Sequence, residues 1–144
     1  MPEVSFYILS SASEQERCLF VCKLAEKAYR NGAYMYLQTA SEEQNRLLDD
    51  LLWTFRAGSF IPHQIHNGEV PANANRILIG TGAAPQNWQK IIVNLSPQAP
   101  DNLEQAERIL EILNADENIK QAGRQRYRHY QQLQLAISTH KMNN

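Results

Sequence analysis

The amino-acid sequence predicts an α/β fold in which a mostly parallel sheet is flanked by helices. Three observations lead to this class: short apolar runs typical of strands covered on both faces, amphipathic helical patterns between them, and capping boxes ahead of the first two helices. The strand–helix–strand–helix order favours parallel pairing. Because 144 residues is the length of one domain, we expect residues 1–144 to form a single domain whose last few residues are flexible.

The same patterns place the elements along the chain. Strands are expected at residues 4–9, 33–37, 76–80 and 91–95, where β-branched, aromatic and other apolar residues run together. Ser13 and Ser41 open the two capping boxes, each followed by a helix. Apolar periodicity predicts further helices at residues 103–113 and 117–135. Residues 54–75 are expected to be loop or irregular structure.

Composition limits the class of protein. No apolar stretch approaches the roughly 18–20 residues of a membrane span, and the N-terminus lacks the form of a signal peptide. We therefore expect a cytoplasmic protein. Cys18 and Cys22 lie four residues apart in a helical segment. That spacing separates Cβ atoms by about 5–6 Å, more than the ~3.5–4.5 Å of a disulfide, so we expect reduced thiols on a buried face.

The charge of the chain is unevenly distributed. Residues 1–117 carry all 15 acidic residues and nine of the 14 Lys and Arg residues, which gives a net charge of −6. Residues 118–144 carry five Lys and Arg residues and no acidic residue, which gives +5. A cationic end on a mildly acidic body indicates an anionic partner for that end.

The predicted last helix places most of these cations on one side. At about 3.6 residues per turn, Lys120, Arg124, Tyr127 and Arg128 project from the same face. Arg126 falls among the inward positions, and we expect its stem to lie along the core while its head reaches water or a partner. The cationic face could bind nucleic acid, receive an acidic peptide, or simply be solvated. Because four cations are few for useful DNA affinity, the peptide is favoured over nucleic acid.

One glycine pair invites comparison with a dinucleotide-binding loop. Gly80 and Gly82 follow a predicted strand, but Pro85 stands where the third glycine of that loop would be. About seven residues before the next strand leave little room for a helix whose N-terminus could hold a pyrophosphate. We interpret the segment as a tight turn between neighbouring strands.

Other catalytic or metal-binding patterns are weak or lacking. His63, His66 and the two cysteines could be imagined as a zinc site. The thiol ligands would then come from the middle of a helix, which is unlike the usual zinc knuckle on a turn. No nucleophile elbow, His-Glu-x-x-His or P-loop pattern occurs. Asp49 and Asp50 form an acidic pair that is interpreted as part of a solvated helix face. We expect no catalytic residue, no metal and no cofactor.

The end of the second helix runs into an aromatic segment. Trp53 and Phe55 are followed by Phe60, Ile61 and Pro62. Two interpretations are open. The segment forms either a small satellite core beneath a long loop or an apolar surface patch for a permanent protein partner, since Trp and Phe are favoured anchors in such interfaces.

These motifs together resemble the family of chi subunits of bacterial DNA polymerase III. Residues 48–53 (Leu-Asp-Asp-Leu-Leu-Trp) and 59–63 (Ser-Phe-Ile-Pro-His) are similar to its Leu-Asp-x-x-Leu-Trp and Ser-Phe-[Val/Ile]-Pro-His elements. Residues 124–130 (Arg-Gln-Arg-Tyr-Arg-His-Tyr) are similar to its Arg-x-Arg-Tyr-Lys-x-Tyr element, with Arg128 in place of the lysine. The order and spacing agree from about residue 4 to 139. Residues 67–71, which are less Gly-rich, and 140–144 depart from the pattern.

The resemblance implies a Rossmann-like α/β fold without nucleotide chemistry and a non-catalytic adaptor in DNA replication with two partners. One partner is the psi subunit of the clamp loader, whose contacts map onto Trp53, Phe60, Ile61 and Pro62. The other is the acidic C-terminal tail of single-stranded DNA-binding protein, which ends in a phenylalanine. The residues implied in that contact are Lys120, Arg124, Tyr127, Arg128 and Thr139.

Side-chain chemistry suggests a role for each tail contact. Arg124 is expected to pair with the terminal carboxylate of the tail, and Lys120 and Arg128 to attract its aspartates. Tyr127 is expected to form a wall of the pocket for the phenylalanine ring. Two other classes stay open at this point: a nucleotide-binding enzyme on a Rossmann-like sheet, and a module that binds nucleic acid directly.

Overall fold

The strands of the described residues form one parallel sheet. The computed structural model describes residues 1–58, 60–69, 71–101 and 103–143. The strands are β1 (Glu3–Leu9), β2 (Met35–Gln38), β3 (His63–Ile65), β4 (Ile77–Gly80), β5 (Ile91–Asn94), β6 (Arg108–Leu113) and β7 (Ala136–Met142). They lie in the order β3-β4-β2-β5-β6-β1-β7, and every neighbouring pair is parallel. The predicted α/β class is confirmed.

In the part of the chain that the structure describes, three α-helices flank the sheet: α1 (Glu14–Arg30), α2 (Glu42–Thr54) and α3 (Glu117–Gln132). The predicted caps are present, since the hydroxyls of Ser13 and Ser41 accept from backbone N–H groups three residues on. Asp116 caps α3 in the same way, with its carboxylate accepting from the N–H groups of Asn118 and Ile119. Each helix therefore begins where its sequence supplies an acceptor for orphan N–H groups.

The core lies on both faces of the sheet. One apolar cluster joins α1 and α2 to residues such as Leu37 and Ile112, and the other joins α3 to residues such as Tyr36 and Ile109. Neighbouring strand residues belong to opposite clusters because side chains alternate across a strand. Cys18 and Cys22 are free thiols buried in the first cluster. In the part of the chain that the structure describes, no helix is long and apolar enough to cross a membrane.

The helix predicted at residues 103–113 is wrong. Leu103–Gln105 is a single 3-10 turn, and Arg108–Leu113 is strand β6, which lies between β5 and β1. The apolar residues 109, 110, 112 and 113 satisfy a helical pattern, but here they cover both faces of a buried strand. Glu111, which breaks the apolar run, is fully buried.

Two edge strands were not predicted. β3 falls in the segment expected to be irregular, and β7 follows the last helix, which ends at Gln132 rather than near residue 135. β7 contains residues 140–142 of the chain end that was expected to be flexible, whereas Asn144 lies outside the described residues.

Gly80, the last residue of β4, has a packing role. A Cβ on Gly80 would collide with the phenol of Tyr36, whose hydroxyl donates to the carbonyl of Gly82 at 2.7 Å. A 3-10 turn at Gln86–Trp88 follows instead of an α-helix. The expected turn between neighbouring strands is wrong in one respect, because β2 lies between β4 and β5 in the sheet.

Candidate protein-binding sites

The helix α3 presents a cationic face to solvent. Arg124 and Arg128 are exposed, and Tyr127 between them is half-buried. Among the described residues, neither arginine has an ion-pair partner within 4.0 Å. Lys120, one turn earlier, lies 3.5 Å from the Glu117 carboxylate. The two arginines are therefore available to an anionic ligand.

Beside this face a cavity of about 310 Å³ opens between α3 and the last strands of the sheet. Four of the five residues assigned to the tail contact line it. The lining residues are Phe6 and Ile8 of β1, Leu113 of β6, Thr139 of β7, and Gly123, Arg124, Tyr127 and Arg128 of α3. Lys120 is not among them. The sequence alone gave no reason to include the three apolar strand residues, because they come from β1 and β6.

The cavity combines an apolar interior with a cationic rim. The ring of Tyr127 lies 5.3 Å from that of Phe6, centroid to centroid. Ile8 and Leu113 add aliphatic surface from two neighbouring strands. Arg124 and Arg128 stand at the exposed side. Such a site suits a ligand with an apolar group next to negative charge.

Arg126, between the two rim arginines in sequence, points into the protein instead. Its side chain is 5% exposed, and its Nη2 lies 3.0 Å from the Oε1 of Glu111. The expectation that its head reaches water or a partner molecule is therefore wrong, because a buried carboxylate on β6 binds it. Burial raises the pKa of Glu111, and the Arg126 charge opposes that rise.

Further hydrogen bonds complete the environment of Glu111. The hydroxyl of Tyr130 donates to its Oε2 at 2.6 Å, and the amide of Asn94 lies 3.1 and 3.2 Å from its two oxygens. These contacts join α3 to β5 and β6. They fix the rotation of α3 about its axis, which places Arg124 and Tyr127 at the cavity.

The aromatic segment after α2 divides into exposed and buried residues. Trp53 is 55% exposed and Phe60 is 78% exposed, and they are two of the four exposed large hydrophobic residues in the described part of the chain. Pro62 is half-buried, whereas Ile61 is 2% exposed and belongs to the core cluster of α1 and α2. Ile61 therefore anchors the segment and cannot offer its side chain to a partner. We call Trp53, Phe60 and Pro62 the aromatic patch.

His63 connects the aromatic patch to the scaffold. Its ring lies 4.6 Å from that of Trp53, and its Nδ1 is 2.6 Å from the carbonyl oxygen of Ile61. Its Nε2 is 3.1 Å from Asp49 Oδ1, an ion-pair distance, although the atoms are not aligned for a hydrogen bond. The interpretation of Asp49 as part of a solvated face is therefore incomplete, because its side chain is 31% exposed but also contacts this buried ring. Ser59, which begins the Ser-Phe-Ile-Pro-His element, lies outside the described residues.

The two sites lie at opposite edges of the sheet. His63 begins β3 at one edge, and Thr139 lies in β7 at the other. Six strand spacings of about 4.8 Å separate these edges, roughly 29 Å in all. The aromatic patch follows α2 on one face, whereas the cavity lies under α3 on the other. Two ligands could occupy these sites without touching.

The potential metal ligands of the described residues do not form a cluster. No group of three or more His, Cys, Asp or Glu residues is arranged to hold a metal ion within residues 1–58, 60–69, 71–101 and 103–143. His63 instead contacts Trp53 of the aromatic patch and the Asp49 carboxylate.

The fold and these sites define an α/β protein whose candidate contact surfaces lie at the two edges of one parallel sheet. The chain belongs to the DNA polymerase III chi subunit family: the family model described as "DNA polymerase III chi subunit, HolC" matches residues 1–138. The predicted resemblance is confirmed. The chain is thus a homologue of a replisome subunit.

Curated relatives carry the same name. The DNA polymerase III subunit chi of Pseudomonas aeruginosa is 34% identical over 142 residues, which cover 99% of this chain and 98% of the relative. That of Escherichia coli is 27% identical over 151 aligned positions, with 96% and 97% coverage. That of Haemophilus influenzae is 27% identical over 125 positions, with 85% coverage of both. These names describe a subunit of a polymerase.

Proposed function

We propose that this protein is a non-catalytic adaptor in DNA replication, acting in the cytoplasm. One surface binds the psi subunit of the clamp loader, and the other binds the acidic C-terminal tail of single-stranded DNA-binding protein. The observation that carries the proposal is the meeting of Arg124, Tyr127, Arg128 and Thr139 at one apolar cavity with a cationic rim.

The chemistry of the cavity supports a tail that ends in a phenylalanine. Phe6 and Tyr127 offer ring contacts to an aromatic side chain, and Ile8 and Leu113 extend the apolar surface. Arg124, exposed and without an ion-pair partner among the described residues, suits the terminal carboxylate. Lys120 lies outside the cavity, so its proposed role is to attract the aspartates that precede the terminal residue.

The aromatic patch supports the second contact. Exposed Trp53 and Phe60 are poor surface residues for a chain without a partner, but they are common anchors in protein interfaces. Ile61 and His63 hold the segment from the core side. Psi therefore contacts Trp53, Phe60 and Pro62, while Ile61 contributes as an anchor.

The tail contact is tested by titrating a labelled peptide ending in Asp-Asp-Ile-Pro-Phe into the intact protein. We expect micromolar affinity that weakens as salt rises, and at least a roughly tenfold loss in Arg124→Ala, about 1.4 kcal/mol. The matched control is Arg46→Ala, which removes an exposed arginine from α2. Unchanged binding in Arg124→Ala would overturn the site, and no binding to the wild type would overturn the tail contact.

The psi contact is tested separately by co-purification and titration with the psi subunit. Trp53→Ala and Phe60→Ala are each expected to weaken the complex at least about tenfold, as for interface anchors. Arg124→Ala serves as the control and is expected to leave this complex unchanged. Full retention of psi by both aromatic variants would overturn this assignment.

A further inference from the structure

The strand β7 is an uncovered edge next to the cavity. Among the described residues it pairs only with β1, from Glu3 opposite Ala136 to Leu9 opposite Met142. Five of its seven residues are exposed and the other two are half-buried. Its outer row of backbone N–H and C=O groups is therefore open to an extended chain.

This edge is unusual because so little protects it. The strand has seven residues, whereas β3 at the opposite edge has three. β7 contains no proline, and Lys141 is its single Lys or Arg residue. Proteins commonly protect exposed edges by shortening them, placing proline or charge on them, or covering them. A long bare edge beside a candidate peptide site is a feature that a peptide could use.

The register of β7 shows which of its side chains face the cavity. Thr139 lies opposite Phe6, and Lys141 lies opposite Ile8. Phe6, Ile8 and Thr139 all line the cavity. Because alternate residues of a strand share a face, Lys141 projects on the cavity side, beyond Thr139. His140 projects to the other face, where its ring stacks on Tyr7 at 5.0 Å.

Charge selects the kind of peptide. Arg124 and Arg128 on α3 line the cavity, and Lys141 lies on the same face of β7 as Thr139. Residues 118–144 contain no acidic residue. An extended acidic segment would meet cations on the side chains and hydrogen-bonding groups on the backbone of the same edge.

We propose that the acidic peptide continues from the cavity along β7 as an eighth strand, with Lys141 as a further contact. The inference depends on the proposed function, since it assigns a binding mode to the residues that precede the tail's terminal group. The added strand is formed by peptide residues that precede the proline near the peptide's C-terminus. Proline itself has no N–H group to donate to a carbonyl of β7.

The test compares two peptides that end in Asp-Asp-Ile-Pro-Phe, one of five residues and one of twelve with acidic residues added upstream. The longer peptide is expected to bind several-fold more tightly. Single backbone N-methylation at successive upstream positions is expected to weaken binding at alternate positions only, by about two- to tenfold each, as for one lost hydrogen bond. Lys141→Ala is expected to weaken the long peptide about threefold and the short one less.

Hydrogen exchange provides the direct readout on the wild-type protein. The long peptide is expected to slow exchange at alternate amides of β7, while the amides of β3 at the opposite edge serve as an internal control. Lys23→Ala, an exposed lysine on α1, is the matched control for Lys141→Ala.

The outcomes separate this inference from the proposed function. Binding that depends on Arg124 but is insensitive to N-methylation, with no protection of β7, would overturn the added strand and leave the tail site in place. No binding of either peptide would overturn both.

Discussion

A Cβ at position 123 would lie 2.5 Å from the Cδ1 of Leu113, so Gly123 allows α3 to approach β6 closely. Leu113 is buried beneath the helix and also lines the cavity. This close packing explains why α3 contains a poor helix former yet runs unbroken. It also holds Arg124 and Tyr127 at the cavity.

Gly123→Ala is expected to destabilise the protein despite alanine's better helix propensity. The substitution gains about 1 kcal/mol of propensity, but overpacking a core position costs about 1–3 kcal/mol, so we expect a net loss of roughly 1 kcal/mol. Displacement of Leu113 is also expected to weaken binding of the Asp-Asp-Ile-Pro-Phe peptide. Urea denaturation and peptide titration measure the two effects.

Gly82→Ala is the matched control for this prediction. A Cβ there meets no atom within 4 Å, and the backbone has no positive φ. We expect its stability to stay within about 0.5 kcal/mol of the wild type. A Gly123→Ala variant at least as stable as the wild type would contradict the role assigned to the close approach.

The sequence predicted the fold class and three helices correctly because those features depend on local patterns. Ser13 and Ser41 mark helix starts through acceptors a few residues away. The helix predicted over residues 103–113 is wrong at β6 because the property that makes this segment a strand is not local. Glu111 looks like a solvent-facing residue in sequence, yet its partner Arg126 lies 15 residues further on and on another element.

In the candidate sites, too, local sequence patterns predict some features, whereas others depend on contacts between distant parts of the chain. The cations of α3 follow from helical geometry, whereas Phe6, Ile8 and Leu113 reach the cavity only through pairing of β1 with β6. Ile61 and Phe60 are adjacent and similarly apolar, yet one is buried and the other is exposed. Their different environments depend on tertiary packing that residue type does not encode.

The buried Glu111–Arg126 pair predicts a strong and pH-dependent effect of removing the arginine. Arg126→Met leaves Glu111 without its counter-ion, and breaking a buried pair in this way costs about 3–5 kcal/mol. Burial already raises the pKa of Glu111, so its folded form favours the proton more than its unfolded form does. The stability from this group is present at low pH and is lost as pH rises toward the folded pKa.

Removing Arg126 raises that pKa further, so we expect the cost of Arg126→Met to be larger at pH 8 than at pH 5. Urea denaturation at the two pH values measures it. In a Glu111→Gln background the cost should lose its pH dependence. Lys90→Met, which removes the exposed Lys90–Glu107 pair at 4.0 Å, is the control and should change stability little. Equal costs of Arg126→Met at both pH values would contradict the argument.

The separation of the two sites predicts that the two proposed partners bind at once without affecting each other. The sites lie at opposite edges of the sheet, roughly 29 Å apart by strand spacing, and on opposite faces. Sites at such distances normally act additively. The peptide should therefore bind the free protein and its complex with psi within about twofold, and Trp53→Ala should leave peptide affinity unchanged. Competition between psi and the peptide in a titration would show that the sites overlap or are coupled.

The two cysteines are expected to be unreactive in the folded protein. Burial raises the pKa of both Cys18 and Cys22 to about 12, so the thiolate fraction at pH 8 is roughly one in ten thousand. Both thiols are also enclosed in the core. Iodoacetamide labelling followed by mass spectrometry should show no modification at pH 8 without denaturant and two modifications in guanidinium. Rapid labelling of either cysteine in the native protein would show that α1 opens readily.

The contact of Asp49 with His63 predicts that a residue outside the aromatic patch controls it. His63 is enclosed by Trp53, the carbonyl of Ile61 and the Asp49 carboxylate. Asp49→Ala removes the only acidic partner of that ring among the described residues and is expected to cost up to about 1 kcal/mol of stability, as for a partly exposed ion pair. It should also weaken psi binding about three- to tenfold, because Trp53 then loses a fixed neighbour. Asp50→Ala, an exposed neighbour on the same helix, should change neither quantity, and Asp49→Glu should recover part of the loss. Psi affinity that is the same in Asp49→Ala and the wild type would show that Trp53 is positioned without this pair.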